Sequence, residues 1–177
     1  SLIVSTAYGD RVPRAAIGRA EETTWVDYGK ASQVVPVLWE EDRPVPISGF
    51  DPKYNWLPRA ISDDGQVIVG VRWKISRTDL DQSGTSSKEA FRWESGRVAL
   101  LGSLPGFEHS DAPSVSGNGQ IIVGQCTQRD SEHSVGFIWD AQQGMRTVPE
   151  QLARAGISPA GWQITKCHLI SSEGRTI

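Results

Sequence analysis

The chain has 177 residues, a net charge of −3 and a pI near 5.6, with 38% hydrophobic and 22% charged residues. That composition belongs to an ordinary globular chain. The negative balance, with basic residues scattered rather than striped, argues against a nucleic-acid surface. Apolar runs are too short for a transmembrane helix, so no membrane insertion by this segment is expected. The two cysteines, Cys126 and Cys167, are too few for a disulfide framework and sit at non-equivalent places, which reads as isolated thiols.

In chain order, Leu2 to Tyr8 reads as a short buried strand and residues 9–33 as an irregular polar insertion. Val34 to Glu40 is a strand ending in Trp-acid, and Arg43 to Ile47 carries two prolines that confine it to a sheet edge. Then comes Ile61-Ser62-Asp63-Asp64-Gly65-Gln66-Val67-Ile68-Val69-Gly70. It returns as Val115-Ser116-Gly117-Asn118-Gly119-Gln120-Ile121-Ile122-Val123-Gly124, and a third time as Ile170-Ser171-Ser172-Glu173-Gly174-Arg175-Thr176-Ile177. The turn glycines lie 54 and then 55 residues apart, the mark of a repeat architecture.

Between the signatures the order is constant. Gln66 to Trp73, Glu89 to Glu94 and Arg97 to Leu104 read as strands of one unit. Ala112 to Ser116, Gln120 to Thr127, Val135 to Asp140 and Met145 to Val148 read as strands of the next. Pro149 to Ala155 reads as a helix stopped by Gly156, and Trp162 to Ser171 as a further strand. The units run approximately 1–56, 57–110 and 111–161, with a partial unit 162–177 in a single repeat domain.

Asp-Gly and Asn-Gly suit the positive φ of tight hairpins, and the preceding Ser can bond the turn backbone. Val67-Ile68-Val69 and Ile121-Ile122-Val123 are continuous apolar runs, which implies burial on both sheet faces. Four-stranded antiparallel sheets buried on both faces and recurring in series are blades. The expected fold is therefore all-β and β-propeller-like, with about three four-stranded antiparallel blades. Three blades are few for a closed ring, so the expectation is an open arc of a larger propeller, with further blades in the same parent chain.

The order of turn, strand and Trp-acid resembles WD40 and TolB-like propeller repeats. The Glu89-Ala90-Phe91-Arg92-Trp93 and Val135-Gly136-Phe137-Ile138-Trp139 strands are similar to those of the HAF family of extracellular repeats, named for a His-Ala-Phe tripeptide. The first residue of that tripeptide differs in both strands here. Leu101-Gly102-Ser103-Leu104-Pro105-Gly106 and Gly161-Trp162 add to the resemblance, which spans about residues 34–177. It implies an exported bacterial protein, extracellular, on the cell surface or periplasmic, sometimes joined to an autotransporter barrel. It implies no established chemistry.

Trp39, Trp93 and Trp139 recur and are expected to be mostly buried between blades, where truncation costs on the order of 3 kcal/mol. The non-repeated Trp25, Trp56 and Trp73 are the better candidates for an exposed ligand platform. His109, His133 and His168 lack metal-ligand spacing, and no nucleotide or hydrolase fingerprint occurs. Asp79-Leu80-Asp81-Gln82-Ser83-Gly84 resembles the start of a calcium loop, making Asp79, Asp81 and Ser83 weak metal candidates. The closing acid is misplaced, since the twelfth position is Ala90 and the ninth is Ser87.

The sequence thus points first to a non-catalytic module binding a protein or glycan or serving as a scaffold. A propeller-type enzyme, glycosidase or lyase, is the alternative. It would need convergent carboxylates or histidines on the first strands. Calcium-dependent adhesion is a third reading. Residues 9–33 and 76–88 are expected on one face, because both join the second and third strands of their units.

Overall fold

The computed structural model describes residues 5–6, 16–26, 29–40, 43–74, 87–129, 131 and 133–177. Up to residue 46, apart from residues 36–38, only the backbone is described. The described residues are all-β but for one short helix. The strands are β1 (Ser5–Thr6), β2 (Ala16–Val26), β3 (Gly29–Glu40), β4 (Arg43–Pro46), β5 (Tyr54–Ile61), β6 (Val67–Lys74), β7 (Glu89–Glu94), β8 (Arg97–Gly102), β9 (His109–Val115), β10 (Ile122–Thr127), β11 (Ser134–Asp140) and β12 (Gly144–Thr147). They form three four-stranded meanders, ordered β1-β2-β3-β4, β5-β6-β7-β8 and β9-β10-β11-β12, antiparallel throughout.

The repeat holds to the residue. Ile68, Trp93 and Val98 stand side by side across β6, β7 and β8. Ile122, Trp139 and Met145 do the same across β10, β11 and β12. Trp39 holds the corresponding place between Ala16 and Pro44. Trp93 and Trp139 are nevertheless half-buried rather than mostly buried. Each lies at the partly covered margin of a core cluster, and Trp93 donates its indole N–H to the Ser48 carbonyl at 2.9 Å.

Continuous apolar strands serve two faces, because successive side chains point to opposite sides of a sheet. Ile68 packs with Trp56, Ile61 and Phe91, against Leu38 and Ile47 on the side of the first sheet. Its neighbours Val67 and Val69 pack instead with Ala112, Val115, Ile122 and Phe137 of the third sheet. Likewise Ile122 faces back and Val123 faces forward, toward Cys167 and Ile170. The aromatic centre of the first interface is tight. The Trp56 and Phe91 rings lie 5.2 Å apart at 82°, and Phe50 closes on Trp56 at 5.1 Å.

Three expectations need correction. Residues 9–33 are not an irregular insertion throughout: 16–26 and 29–33 belong to the long β2–β3 hairpin. Their alternation is diluted by polar and small residues, which hid the strands. Consequently Ser5–Thr6 takes the first-strand position beside β2, not the second. In strand order β2–β3 is then the counterpart of β6–β7. Placement of the two tips, at 27–28 and 75–86, lies outside the described residues. Finally, Trp162 to Ser171 forms no strand and joins no sheet. Its bonds run instead from Gly136 N to the Ile164 carbonyl (2.9 Å), from Cys167 N to the Gly124 carbonyl (3.2 Å) and from Ile170 N to Ser114 Oγ (3.2 Å).

Helix α1 (Val148–Arg154) forms where expected. Thr147 and Glu150 make a reciprocal capping box, which satisfies N–H groups that a first turn leaves free. Gly156 stops it at φ +73.

Candidate functional site

The repeated polar residues are consumed by the fold. Ser62 Oγ donates to Asp64 Oδ1 (2.6 Å) and accepts from Val67 N (2.9 Å), while Asp64 Oδ1 also takes the Gln66 N–H (3.0 Å). Ser116 and Asn118 repeat this pattern with Ile121 and Gln120. Ser171 accepts from Arg175 N and Thr176 N. These bonds hold the Asp64 carboxyl below the ordinary 3.8, the Ser62 hydroxyl first and the Gln66 N–H second.

The three turns also meet. Asp63 N donates to the Gly117 carbonyl and Gly117 N to the Ser172 carbonyl, both at 2.9 Å. The Ser172 hydroxyl donates to the Asp63 carboxylate. A side chain at residue 117 would displace the ends of the Asp63 and Ser172 side chains, which close over the glycine.

The first strands carry something the repeat does not explain. β5 and β9 are sheet edges, and each bulges at the same place. Arg59 is the extra residue opposite Gly70–Val69, and the Ala112-Pro113 pair lies opposite Gly124. A bulge adds twist and re-aims a side chain. A Cβ on Gly70 would overlap the Leu57 carbonyl oxygen, and one on Gly124 the Asp111 carbonyl oxygen. The signature glycines are thus fixed by the bulge. Re-aimed, Arg59 Nη2 donates to Asp111 Oδ2 at 3.0 Å across the two strands. The side chains are 39% and 22% exposed. Asp111 Oδ1 is buried and has no hydrogen-bond partner among the described residues.

The pair sets a partly exposed guanidinium at the strand edges, with a carboxylate whose Oδ2 it holds. In the repeat alignment, Arg59 corresponds to Pro113 and His168, and Asp111 to Leu57 and Lys166. Lys166 and His168 are exposed. Asp111 falls outside the strand expected from Ala112, because β9 begins three residues earlier, at His109. The available signal was variation in charge at a fixed repeat position.

The other expected sites fare differently. Asp79, Asp81 and Ser83 lie outside the described residues. Among the described residues no group of three or more His, Cys, Asp or Glu side chains could hold a metal ion. Trp56 is only 2% exposed and is core, not a platform. It fails as a platform because its ring fills the space between Phe50 and Phe91. Trp73 is half-buried, and the Trp25 side chain is outside the described set. His109 Nδ1 accepts from Lys88 N at 3.1 Å, and His133 stacks on Phe107 with ring centroids 5.7 Å apart. Cys126 and Cys167 are free, buried and in different core clusters. Burial raises both thiols, Cys167 to about 11.

Compared with known proteins, the chain matches no family model and no curated protein. Among the described residues no helix is long and apolar enough to cross a membrane.

Proposed function

We propose that this chain is a stretch of β-propeller-type repeat blades that serves as a non-catalytic binding or scaffolding module of an exported bacterial protein, with the exposed first-strand residues as its contact site. The observation that carries the reading is the division of polar residues into two sets. The repeated ones, Ser62, Asp64, Ser116, Asn118 and Ser171, spend their hydrogen bonds on turns. Arg59, Asp111, Lys166 and His168 differ from unit to unit, and the first two share a partly exposed ion pair. Scaffold positions repeat and recognition positions diverge. A glycan or an exposed protein loop provides the matching hydroxyls and amides.

The same pair is the point from which an enzyme reading would start, since a carboxylate beside a cation can serve proton transfer. A glycan array run beside a panel of glycosidase and lyase substrates separates the readings. Binding without turnover that is lost in Asp111→Asn supports the module. Turnover abolished by Asp111→Asn, in a protein of unchanged unfolding temperature, overturns it in favour of the enzyme.

A further inference from the structure

The middle signature turn holds a reactive pair that the proposed contact site does not use. The chain has two asparagines, Asn55 before Trp56 and Asn118 before Gly119. An asparagine followed by glycine is open to attack by its own backbone. The glycine nitrogen gives up its proton and bonds to the asparagine Cγ, the Cγ–Nδ2 bond breaks, and ammonia leaves. The cyclic imide then takes up water and opens either to aspartate or to β-linked isoaspartate. Glycine favours the closure because it has no Cβ to crowd the ring. Asn55 lacks that advantage.

In the folded turn the attacking nitrogen and the side chain it must reach are both engaged. Gly119 N donates to the Ser116 carbonyl at 2.8 Å. Asn118 Oδ1 accepts from Ser116 Oγ at 2.7 Å and from Gln120 N at 3.1 Å, which pins the side chain by its oxygen. Gly119 is buried against the preceding unit, where a Cβ would lie 2.6 Å from Val67 Cγ2. Asn118 itself is exposed, so water reaches it. The first turn shows how the products would fit. Asp64 stands before Gly65 in the place of Asn118, its Oδ1 takes the same two bonds, and Gly65 N donates to the Ser62 carbonyl at 2.9 Å. Aspartate is therefore a residue that this turn already accepts. Isoaspartate adds a methylene to the main chain before Gly119, which draws that residue away from the Ser116 carbonyl and from Val67. We propose that Asn118 is a deamidation site, shut in the folded turn and open whenever the turn unfolds, whose aspartate product refolds as a second copy of the Asp64 turn and whose isoaspartate product does not.

The test ages the chain in mildly alkaline buffer, once native and once unfolded in guanidinium chloride, and follows its peptides by mass spectrometry. The peptide carrying residue 118 is expected to turn from amide to acid about tenfold faster or more in the unfolded sample, because in the native one the turn must open first. Asn118→Asp, made genetically, is expected to keep the unfolding temperature of the parent chain to within about 2 °C. When the chain aged in denaturant is returned to native buffer, isoaspartate mapped to residue 118 is expected to gather in the fraction that fails to refold, and aspartate in the fraction that refolds. Equal rates in the two samples, no acid at residue 118 after unfolding, a larger fall for Asn118→Asp, or an even division of the two products between the fractions overturns the proposal.

Discussion

Arg59 Nη2 donates to Asp111 Oδ2 at 3.0 Å, joining the first strands of two successive units through side chains that have no equivalent elsewhere in the repeat. Both groups are partly solvated, so screening makes the pair worth little to stability, about 0–1 kcal/mol. Arg59→Ala is therefore expected to shift the urea midpoint only slightly while reducing ligand binding. A loss above about 2 kcal/mol would make the pair a structural staple instead.

The bulge glycines should behave in the opposite way. Gly124→Ala drives a methyl group into the Asp111 carbonyl and the Phe137 ring, and Gly70→Ala into the Leu57 backbone. Backbone cannot yield as a flexible side chain can, so each should cost about 3 kcal/mol or more, at or beyond the usual range for overpacking. Gly144→Ala meets nothing within 4 Å and bears only its φ of +70, a cost of about 1–2 kcal/mol. Chemical denaturation of the three variants gives the order directly.

Much of this architecture was legible in the sequence. The period, the turn chemistry and the Trp-acid strands place β6, β7, β10 and β11 within a residue or two, and the continuous Val/Ile runs imply the two-faced burial that Ile68 and Val69 display. What was hidden has specific causes. β2 is Ala-Ile-Gly-Arg-Ala-Glu-Glu-Thr-Thr-Trp-Val, in which no apolar alternation survives and pairing with β3 alone defines the strand. Trp93 is half-buried, and its indole N–H bonds Ser48, 45 positions earlier in the chain, a partner that no local pattern marks. Arg59 sits at a bulge of β5 and Asp111 beside a bulge of β9, and a bulge leaves no periodic trace.

Asp64 and Asn118 occupy one position in successive turns and accept the same two hydrogen bonds through Oδ1. Asp64→Asn should thus leave stability at neutral pH nearly unchanged. The acid limb is different. With its carboxyl held below 3.8 in the folded chain, Asp64 contributes stability that is present above that value and is lost as pH falls through the folded one. The variant should show a shallower decline of unfolding temperature below about pH 4. An unchanged decline would assign acid sensitivity to other groups, with Glu94 (held low by Arg92) and Asp140 the next to test. At Asp140 burial acts to raise the carboxyl and is outweighed by the Gln143 N–H and Arg146.

Ser116 is buried, and its hydroxyl donates to Asn118 Oδ1 at 2.7 Å while accepting from Ile121 N at 3.0 Å. Ser116→Ala leaves that N–H without its acceptor inside the turn, at a cost of about 1–3 kcal/mol. Ser171→Ala removes the corresponding acceptor from a turn whose hydroxyl has longer bonds, 3.1 and 3.2 Å, and whose neighbourhood is more exposed, so water can replace it. Its cost should be smaller by about 1 kcal/mol.

The thiols give the last check, and it tests the packing of residues 164–170 without invoking any ligand. Cys167 Sγ faces Gly136, where even a methyl group would come within 2.9 Å of the sulfur, and burial holds its thiol at about 11. The thiolate is the reactive form, so at pH 8 a thiol with that value is about one part in a thousand ionised. Cys126 is equally shielded, with its Sγ 3.5 Å from Met145 Sδ on the opposite side of the third sheet. Native protein should therefore react negligibly with a disulfide exchange reagent, then release two equivalents on unfolding without reductant. Opening of the 164–170 segment exposes Cys167 alone, so a single fast equivalent in native buffer, mapped to Cys167, would show that the segment lifts off the third sheet. Neither equivalent appearing on unfolding would mean that the two thiols had joined, which their burial in separate clusters contradicts.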